Sequence, residues 1–182
     1  PTVVSTTGTI TVTNNQADLD SGYAKVEYAI LIDGTWNWQS TGVFSGLKQS
    51  TKYEVKTKTT DKAGNFAESE SVQIYTKDIE PAKIKITKAE TGDVVTPSTT
   101  KDDESKEWIN DDVKIELTTP EGLNSEVHVY KEDESEVTKS SDGNYVLEDG
   151  TYKVVATTKD DQGNSKDEVY YIFVDKTKPI VT

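Results

Sequence analysis

Two tryptophans are the residues of this chain whose type and spacing best suit the binding of a ligand. Trp36 and Trp38 are two positions apart, so they share one face if the segment from Thr35 to Gln39 is a strand. An exposed pair of flat rings would stack on sugars. The same rings turned inward would cover a protein core with their large apolar area. The sequence leaves both alternatives open.

Acidic side chains are numerous enough to raise the question of calcium, which takes six to eight oxygens that converge from different chain positions. The chain has no D-x-[DN]-x-[DN]-G loop, and a run of acids is ordinarily a solvated face. The best location is a linker between domains, where an ion held by Asp78, Glu80 and Asp175 would stiffen the joint. We therefore expect no cofactor, with calcium at these three linker acids as the one metal hypothesis. The other acidic clusters are Asp102-Asp103-Glu104, Asp111-Asp112 and Glu132-Asp133-Glu134.

Catalytic constellations are missing from the sequence, and we expect no enzyme. His128 is the only histidine and the chain has no cysteine, so neither a zinc site nor a cysteine nucleophile can be assembled. No G-x-S-x-G elbow occurs. The alternating stretch from Ser125 to Tyr130 predicts that His128 lies on the face of a strand. Nothing in the sequence places two carboxyl groups across a cleft, as a glycosidase requires.

The charge of the chain excludes one class of partner. Among 182 residues there are 33 Asp plus Glu and 20 Lys, with no Arg, for a net charge of −13. Such a surface repels nucleic acid and anionic lipid. No apolar run is long enough to span a bilayer, so we expect no membrane insertion in this segment and place any secretion signal or anchor outside it.

One short phrase, D-x-x-G-N, occurs twice, from Asp61 to Asn65 and from Asp160 to Asn164. An Asp that opens a turn accepts hydrogen bonds from backbone N–H groups that follow it. A Gly then takes the left-handed conformation that closes the turn with a bulge. We predict that each copy joins the last two strands of a domain and has a structural role. The residues concerned are Asp61, Gly64, Asn65, Asp160, Gly163 and Asn164.

The alternation of apolar and polar residues predicts the strands on which these side chains lie. The stretch from Tyr53 to Thr59 alternates throughout, and no window keeps a helical spacing of apolar residues. Tyr53 and Tyr152 each stand eight residues before the repeated Asp. A repeat this long indicates tandem domains, and short alternating strands indicate β-sandwiches. We predict an all-β chain with domains at 1–80 and 81–178, and the start of a following repeat at 179–182.

The alternation also predicts which side chains form the two cores. For the first domain they are Ile10, Val12, Val26, Tyr28, Ile30, Leu47, Tyr53, Val55, Val72 and Ile74. For the second they are Ile84, Ile86, Val113, Ile115, Leu117, Val127, Val129, Leu147, Tyr152, Val154 and Phe173.

The closing half of each domain resembles known families. Leu47 and Tyr53 have the L-x5-Y spacing of the tyrosine corner of fibronectin type III domains, and we expect Tyr53 and Tyr152 to be the corner tyrosines. The run LEDGTYKVVATTKDDQGN…YYIFVDKTKP, from Leu147 to Pro179, is similar to the tandem immunoglobulin-like repeats of Gram-positive cell-surface proteins. The resemblance covers roughly the C-terminal half of each domain. The segment from Thr91 to Lys106 has no counterpart in it.

The resemblance implies two tandem immunoglobulin-like, fibronectin III-like β-sandwiches that serve as a non-catalytic stalk and adhesion segment outside a Gram-positive cell. Their first partners would be neighbouring repeats of the same chain. Two alternatives stay open. One is a module that binds a glycan or a host surface protein, through Trp36 and Trp38 or through a sheet edge. The other is an accessory region of a large secreted enzyme.

Overall fold

The computed structural model describes residues 1–15 and 22–180. Within these residues the protein consists of β-strands and connecting loops without a helix. The predicted all-β class is therefore confirmed. No helix in the described part could cross a membrane. Of the predicted following repeat at 179–182, residues 181 and 182 lie outside the described residues.

The chain divides into two compact units. The first is Pro1–Ile79 together with Asp160–Asn164, and the second is Glu80–Lys159 together with Ser165–Thr182.

The first unit is built from two antiparallel sheets. The order β1-β2-β5 forms one sheet, and the order β4-β3-β6-β7 forms the other, with β8 also paired to β6. The strands are β1 Thr2–Ser5, β2 Ile10–Thr13, β3 Tyr23–Ile32, β4 Thr35–Gln39, β5 Val43–Phe44, β6 Lys52–Asp61, β7 Phe66–Glu68 and β8 Val72–Tyr75.

The hairpin from β3 to β4 has a local cause in the sequence. Asp33 and Gly34 form the two-residue connection between Ile32 and Thr35, which pair across it. Both residues of the connection have positive φ, 50° and 76°, as a type I′ turn requires, and Asp-Gly is a preferred sequence for that turn. The turn places β4 at the edge of the larger sheet.

The position of β4 distinguishes two kinds of sandwich. In constant-type immunoglobulin domains the fourth strand joins the sheet of the first two strands. Here β4 pairs with β3 instead. This is the fibronectin-type arrangement, and it resolves an alternative that strand patterning leaves open.

The core of the first unit lies between the two sheets and agrees largely with the predicted set. The buried cluster is Ile10, Val12, Ile30, Phe44, Leu47 and Val55. Half-buried side chains packed on it are Val3, Tyr28, Tyr53, Val72 and Ile74. Two predictions were inaccurate: Val26 stays outside this cluster, and Phe44 was not foreseen because β5 is too short to show alternation.

The second unit repeats this plan and adds strands. A three-stranded sheet has the order β10-β9-β12, and a five-stranded sheet has the order β11-β16-β15-β13-β14. The strands are β9 Lys83–Lys88, β10 Val94–Val95, β11 Trp108–Ile109, β12 Val113–Thr118, β13 Asn124–Tyr130, β14 Glu136–Val137, β15 Gly150–Lys159 and β16 Ser165–Val174.

The second core is larger than predicted. Its buried members are Ile86, Val95, Ile109, Val113, Ile115, Val129, Tyr145, Leu147, Tyr152, Val154, Ile172 and Val174. Phe173, predicted in the core, is buried but lies outside this cluster. It pairs with Thr151 and alternates with the core residues on either side of it, so it faces outward. It is nevertheless only 2% exposed, because Trp108 packs edge-on against it with ring centroids 6.0 Å apart.

The segment from Thr91 to Lys106, which the sequence could not place, contributes β10 to the smaller sheet and then reaches the edge of β16. Ser98 forms an isolated antiparallel bridge with Tyr171, and β11 then pairs with β16 in parallel. The segment therefore covers an edge that would otherwise expose unpaired backbone groups.

Candidate functional site

The first closing turn shows why the phrase D-x-x-G-N requires its three named residues. The carboxylate of Asp61 accepts hydrogen bonds from the backbone N–H of Asn65 (2.8 Å) and from its side-chain amide (2.9 Å). The Asp61 N–H in turn donates to the Asn65 carbonyl. Gly64 has a φ of 94°, which a residue with a side chain adopts only under strain. The turn is a structural closure with its acid fully engaged.

The second closing turn has the same geometry. The carboxylate of Asp160 accepts from the N–H groups of Gln162 and Asn164, each at 2.9 Å, and from the Asn164 side-chain amide at 2.8 Å. Gly163 has a φ of 90°. Burial alone would raise the pKa of Asp160, but the hydrogen bonds, chiefly from Asn164, hold that pKa below its usual value. Asparagine is thus a hydrogen-bond donor to the aspartate in both turns.

The two corner tyrosines bind backbone groups upstream. The Tyr53 hydroxyl accepts from the N–H of Lys48 at 3.1 Å. The Tyr152 hydroxyl accepts from the N–H of Glu148 at 2.9 Å and donates to the Glu148 carbonyl at 3.0 Å. Tyr152 is 4% exposed and belongs to the core, whereas Tyr53 is half-buried. The tyrosine corner of the second unit therefore has one more hydrogen bond and a more deeply buried ring than that of the first.

The segment that follows β8, which we call the exit of the first unit, is held by hydrogen bonds between uncharged groups. The buried hydroxyl of Thr76 accepts from the N–H of Thr51 at 2.9 Å and lies 2.6 Å from the Lys48 carbonyl, to which it donates. Further on, the N–H of Ile79 donates to the side-chain oxygen of Gln49 at 3.0 Å. The residues after β8 are therefore fixed by groups without charge.

The corresponding exit of the second unit uses carboxylates, and it connects the DGTY stretch at Asp149 with the VDKT stretch at Lys176 and Thr177. Asp149 accepts from the N–H of Lys176 at 2.6 Å and from the hydroxyl of Thr177. The Lys176 ammonium binds Asp112. These bonds, led by the Thr177 hydroxyl, lower the pKa of Asp149. Burial alone would raise the pKa of Asp112, but Lys176 brings it below its usual value.

The structure places Trp36 and Trp38 on the outer face of the larger sheet of the first unit. Trp38 pairs with Ala29, and Ala29 pairs with Lys56 on the next strand. Residues that pair directly across antiparallel strands share a face. The core residue Ile30 alternates with Ala29 and so faces the other way. Neither tryptophan belongs to the core cluster.

Lysines and a phenylalanine extend this outer face into a continuous row, which we call the aromatic–lysine face: Trp36, Trp38, Lys56, Lys58 and Phe66. The Lys56 ammonium lies 4.6 Å from the Trp36 ring centroid and 5.2 Å from that of Trp38. The Lys58 ammonium lies 5.8 Å from the Trp38 centroid and 4.5 Å from that of Phe66. Such contacts stabilise by about 0.5–1 kcal/mol at exposed sites. Trp38 remains 38% exposed and Phe66 64%.

The linker acids do not form a metal site within either unit. Asp78 and Glu80 lie between β8 and β9, and Asp175 follows β16, where its carboxylate accepts from the Thr177 N–H at 3.0 Å. Across residues 1–15 and 22–180, no group of three or more potential metal ligands comes together. The calcium hypothesis stays a prediction without a coordinating cluster to support it.

His128 lies on the outward face of β13, as the alternation predicts. Its Nδ1 is 2.6 Å from a Glu136 oxygen, and its ring stacks near Tyr130 with centroids 6.3 Å apart. A shallow depression of about 260 Å³ in the same unit is lined by several acids. One of them, Asp133, is held by the N–H and hydroxyl of Ser135, and this exposed arrangement offers no protected place for a reaction.

The strand order gives the class of fold, and the comparisons with known proteins show no family. The two-sheet order of the first unit, repeated with additions in the second, defines immunoglobulin-like, fibronectin III-like sandwiches. No protein-family model matches the chain, and no curated protein does. A solved structure of fibronectin(III)-like modules of Clostridium thermocellum CbhA is similar, with 15% identity and a TM-score of 0.29. The alignment covers 91% of this chain and 84% of the chain in that structure. Membership of the Gram-positive surface repeats stays a prediction.

Proposed function

We propose that this chain is a non-catalytic spacer, a segment of a bacterial cell-surface protein that holds other domains away from the cell wall. The observation that carries the proposal is the repetition of one closing plan: a corner tyrosine on β6 and on β15, a D-x-x-G-N turn at the end of each of these strands, and a hydrogen-bonded exit from each unit. A plan of this kind repeats along a chain without requiring a ligand. An extracellular location and neighbouring repeats as partners follow from the resemblance of the sequence to surface repeats.

The strand pairing supports a role under tension. The last strand of the second unit, β16, pairs with β15 over ten successive residues, from Gly150↔Val174 to Lys159↔Ser165. It is also flanked by β11 in parallel. A force on the C-terminal end must therefore break many backbone hydrogen bonds before the unit opens.

Single-molecule stretching of the whole chain between inert handles tests the spacer. Two unfolding events are expected, each with a length gain of roughly 250–300 Å, because an extended residue spans about 3.3–3.6 Å. Asp149→Asn should lower the force of one event and leave the other unchanged. A single gradual extension at low force, without separate events, would contradict a spacer made of two resistant units.

A second function is favoured by one specific observation, the exposed rings of the aromatic–lysine face. Large apolar side chains that cluster at the surface mark interaction sites. We propose that the first unit also takes part in adhesion by binding a glycan through Trp36 and Trp38. This function is compatible with a spacer, since the face belongs to the outside of a sheet whose inner side builds the core.

A further inference from the structure

The lysines on the outer side of this sheet differ in whether they form an ion pair with a carboxylate. Lys56 forms an ion pair with Glu68 at 2.7 Å, and Lys25 forms one with Glu27 at 3.0 Å. Lys58 has no carboxylate within ion-pair distance among residues 1–15 and 22–180. It stands opposite Glu27 and Glu68 in the strand register, but both acids are bound to the other two lysines. Its ammonium is instead held over two rings.

The small side chain of Ala29 allows Lys56 to contact the two tryptophan rings. Ala29, between Trp38 and Lys56 in the register, is completely buried although it lies on the outer face. Its small side chain leaves room for the Lys56 side chain to reach the two indoles. Lys56 thus occupies the indole pair, and Lys58 is left between Trp38 and Phe66. A cation fixed between two exposed rings is prepared for an anion that arrives together with an apolar surface.

We propose that the aromatic–lysine face binds an acidic polysaccharide, with the C–H faces of its sugars on Trp38 and Phe66 and a sugar carboxylate on Lys58. The proposal rests on the glycan-binding function proposed above and names the ligand class. Charge complementarity carries it. The lysines on this side of the sheet exceed its glutamates by one, in a chain of net charge −13: Lys25, Lys52, Lys56 and Lys58 against Glu27, Glu54 and Glu68. A neutral glycan would use the rings and leave Lys58 without a counterion.

Other macromolecules fit this face less well. Nucleic acid binding depends on many phosphate contacts, and one unpaired lysine in an acidic chain without arginine cannot supply them. An extended peptide adds to a sheet through the backbone groups of an edge strand. Here the rings and cations project from the flat outer face, across three strands. A flexible polymer with acidic sugars can lie on such a face.

Affinity electrophoresis of the whole chain tests the proposal, with polygalacturonate as the probe and fully methyl-esterified polygalacturonate as its neutral counterpart. The wild type is expected to bind the acid polymer and to bind the ester more weakly. Trp38→Ala should weaken binding to both polymers about tenfold, as for a central aromatic contact. Lys58→Gln should weaken only the acid polymer, by about two- to fivefold, the range of an exposed ion pair.

Lys52→Gln is the matched control, because Lys52 is an exposed lysine on the same strand β6 and lies over no aromatic ring among the described residues. It should leave both affinities unchanged. Equal binding of acid and ester by the wild type would overturn the acidic ligand class and leave glycan binding in place. Absence of binding to either polymer would overturn both. An equal loss from Lys52→Gln and Lys58→Gln would reduce the effect to general charge and also overturn the proposed site. Thermal melting of each variant identifies any loss that comes from unfolding.

Discussion

The exits of the two units occupy the same place in the fold and are built from different chemistry. In the first unit a buried threonine, Thr76, 3% exposed, binds backbone groups that would otherwise lie unpaired. In the second, Asp149 and Asp112 bind Lys176 and Thr177 at the surface. The difference follows from burial: a hydroxyl tolerates an apolar surrounding once bonded, whereas a carboxylate needs water or a cation nearby. One architecture therefore accepts two solutions, and they should respond differently to substitution and to pH.

The largest contrast is expected at the corner tyrosines. Tyr152→Ala should destabilise the second unit by about 3–5 kcal/mol, because it removes a buried ring from the core. Tyr53→Ala should cost the first unit about 2–3 kcal/mol, below that range, since its ring is half-buried. Chemical denaturation measures both. Equal losses, or a melting temperature unchanged in either variant, would contradict the difference between the corners.

The exits themselves give the next contrast. Thr76→Val keeps the shape of the side chain and removes the partner of the Thr51 N–H and the Lys48 carbonyl, so the first unit should lose about 1–3 kcal/mol. The loss should be the same at every pH where the unit is folded, because no ionisable group is removed. Denaturation at several pH values measures it. A loss that grew or vanished with pH would contradict the neutral character of this exit.

The exit of the second unit should instead depend on acid. The folded-state pKa of Asp149 is lowered, mainly by the Thr177 hydroxyl. Its contribution to stability is therefore complete above the unfolded value, about 3.9, and is lost as the pH falls through the lower folded value. Asp149→Asn should reduce stability at neutral pH and make the acid loss of the second unit shallower.

Fluorescence of Trp108 in a Trp36→Phe/Trp38→Phe background reports the second unit alone, since the chain has three tryptophans. Asp102→Asn, at an exposed acid of the same unit, serves as the control. The interpretation of the exit would be wrong if the two asparagine variants had identical acid profiles.

The smallest effects are expected at the two closing turns, one at the end of β6 and one at the end of β15, because the two turns have the same geometry. Gly64→Ala and Gly163→Ala should each cost about 1–2 kcal/mol, because alanine resists a φ near 90°. No neighbouring atom lies within 4 Å of the added carbon at either position, so backbone strain is the whole cost. Unequal losses of stability would show that the two turns contribute differently to the free energy of unfolding despite their common geometry.

Much of the fold could be predicted where a pattern is local. Asp33-Gly34 determines a type I′ hairpin, and alternation along β6 identifies Val55 as core. Phe44, Tyr145 and Val95 could not be predicted, because β5 and β10 have two residues each and Tyr145 forms only an isolated bridge. That Phe173 is buried on the opposite face from the main cluster could not be predicted for a related reason. It lies in a continuous apolar run, Tyr170 to Val174, in which alternation gives no phase.

The candidate site divides in the same way. Spacing alone places Trp36 and Trp38 on one face, but it cannot say which one. A signal was present in the sequence: if β4 and β6 flank β3, the alternation that turns Val55 and Ile30 inward turns Lys56 and Ala29 outward. Using that signal requires the cross-strand register, which depends on residues more than twenty positions apart.

The sequence by itself determined the longer strands, their turns and the repeated closing phrase, because each depends on the conformational preferences of a few neighbouring residues. Only the tertiary structure decided that the tryptophans face outward and that Lys58 lies between two rings. It also decided that Asp149 holds Lys176 and Thr177. Those outcomes depend on which strands pair and in what register, and pairing is settled by the packing of the whole core.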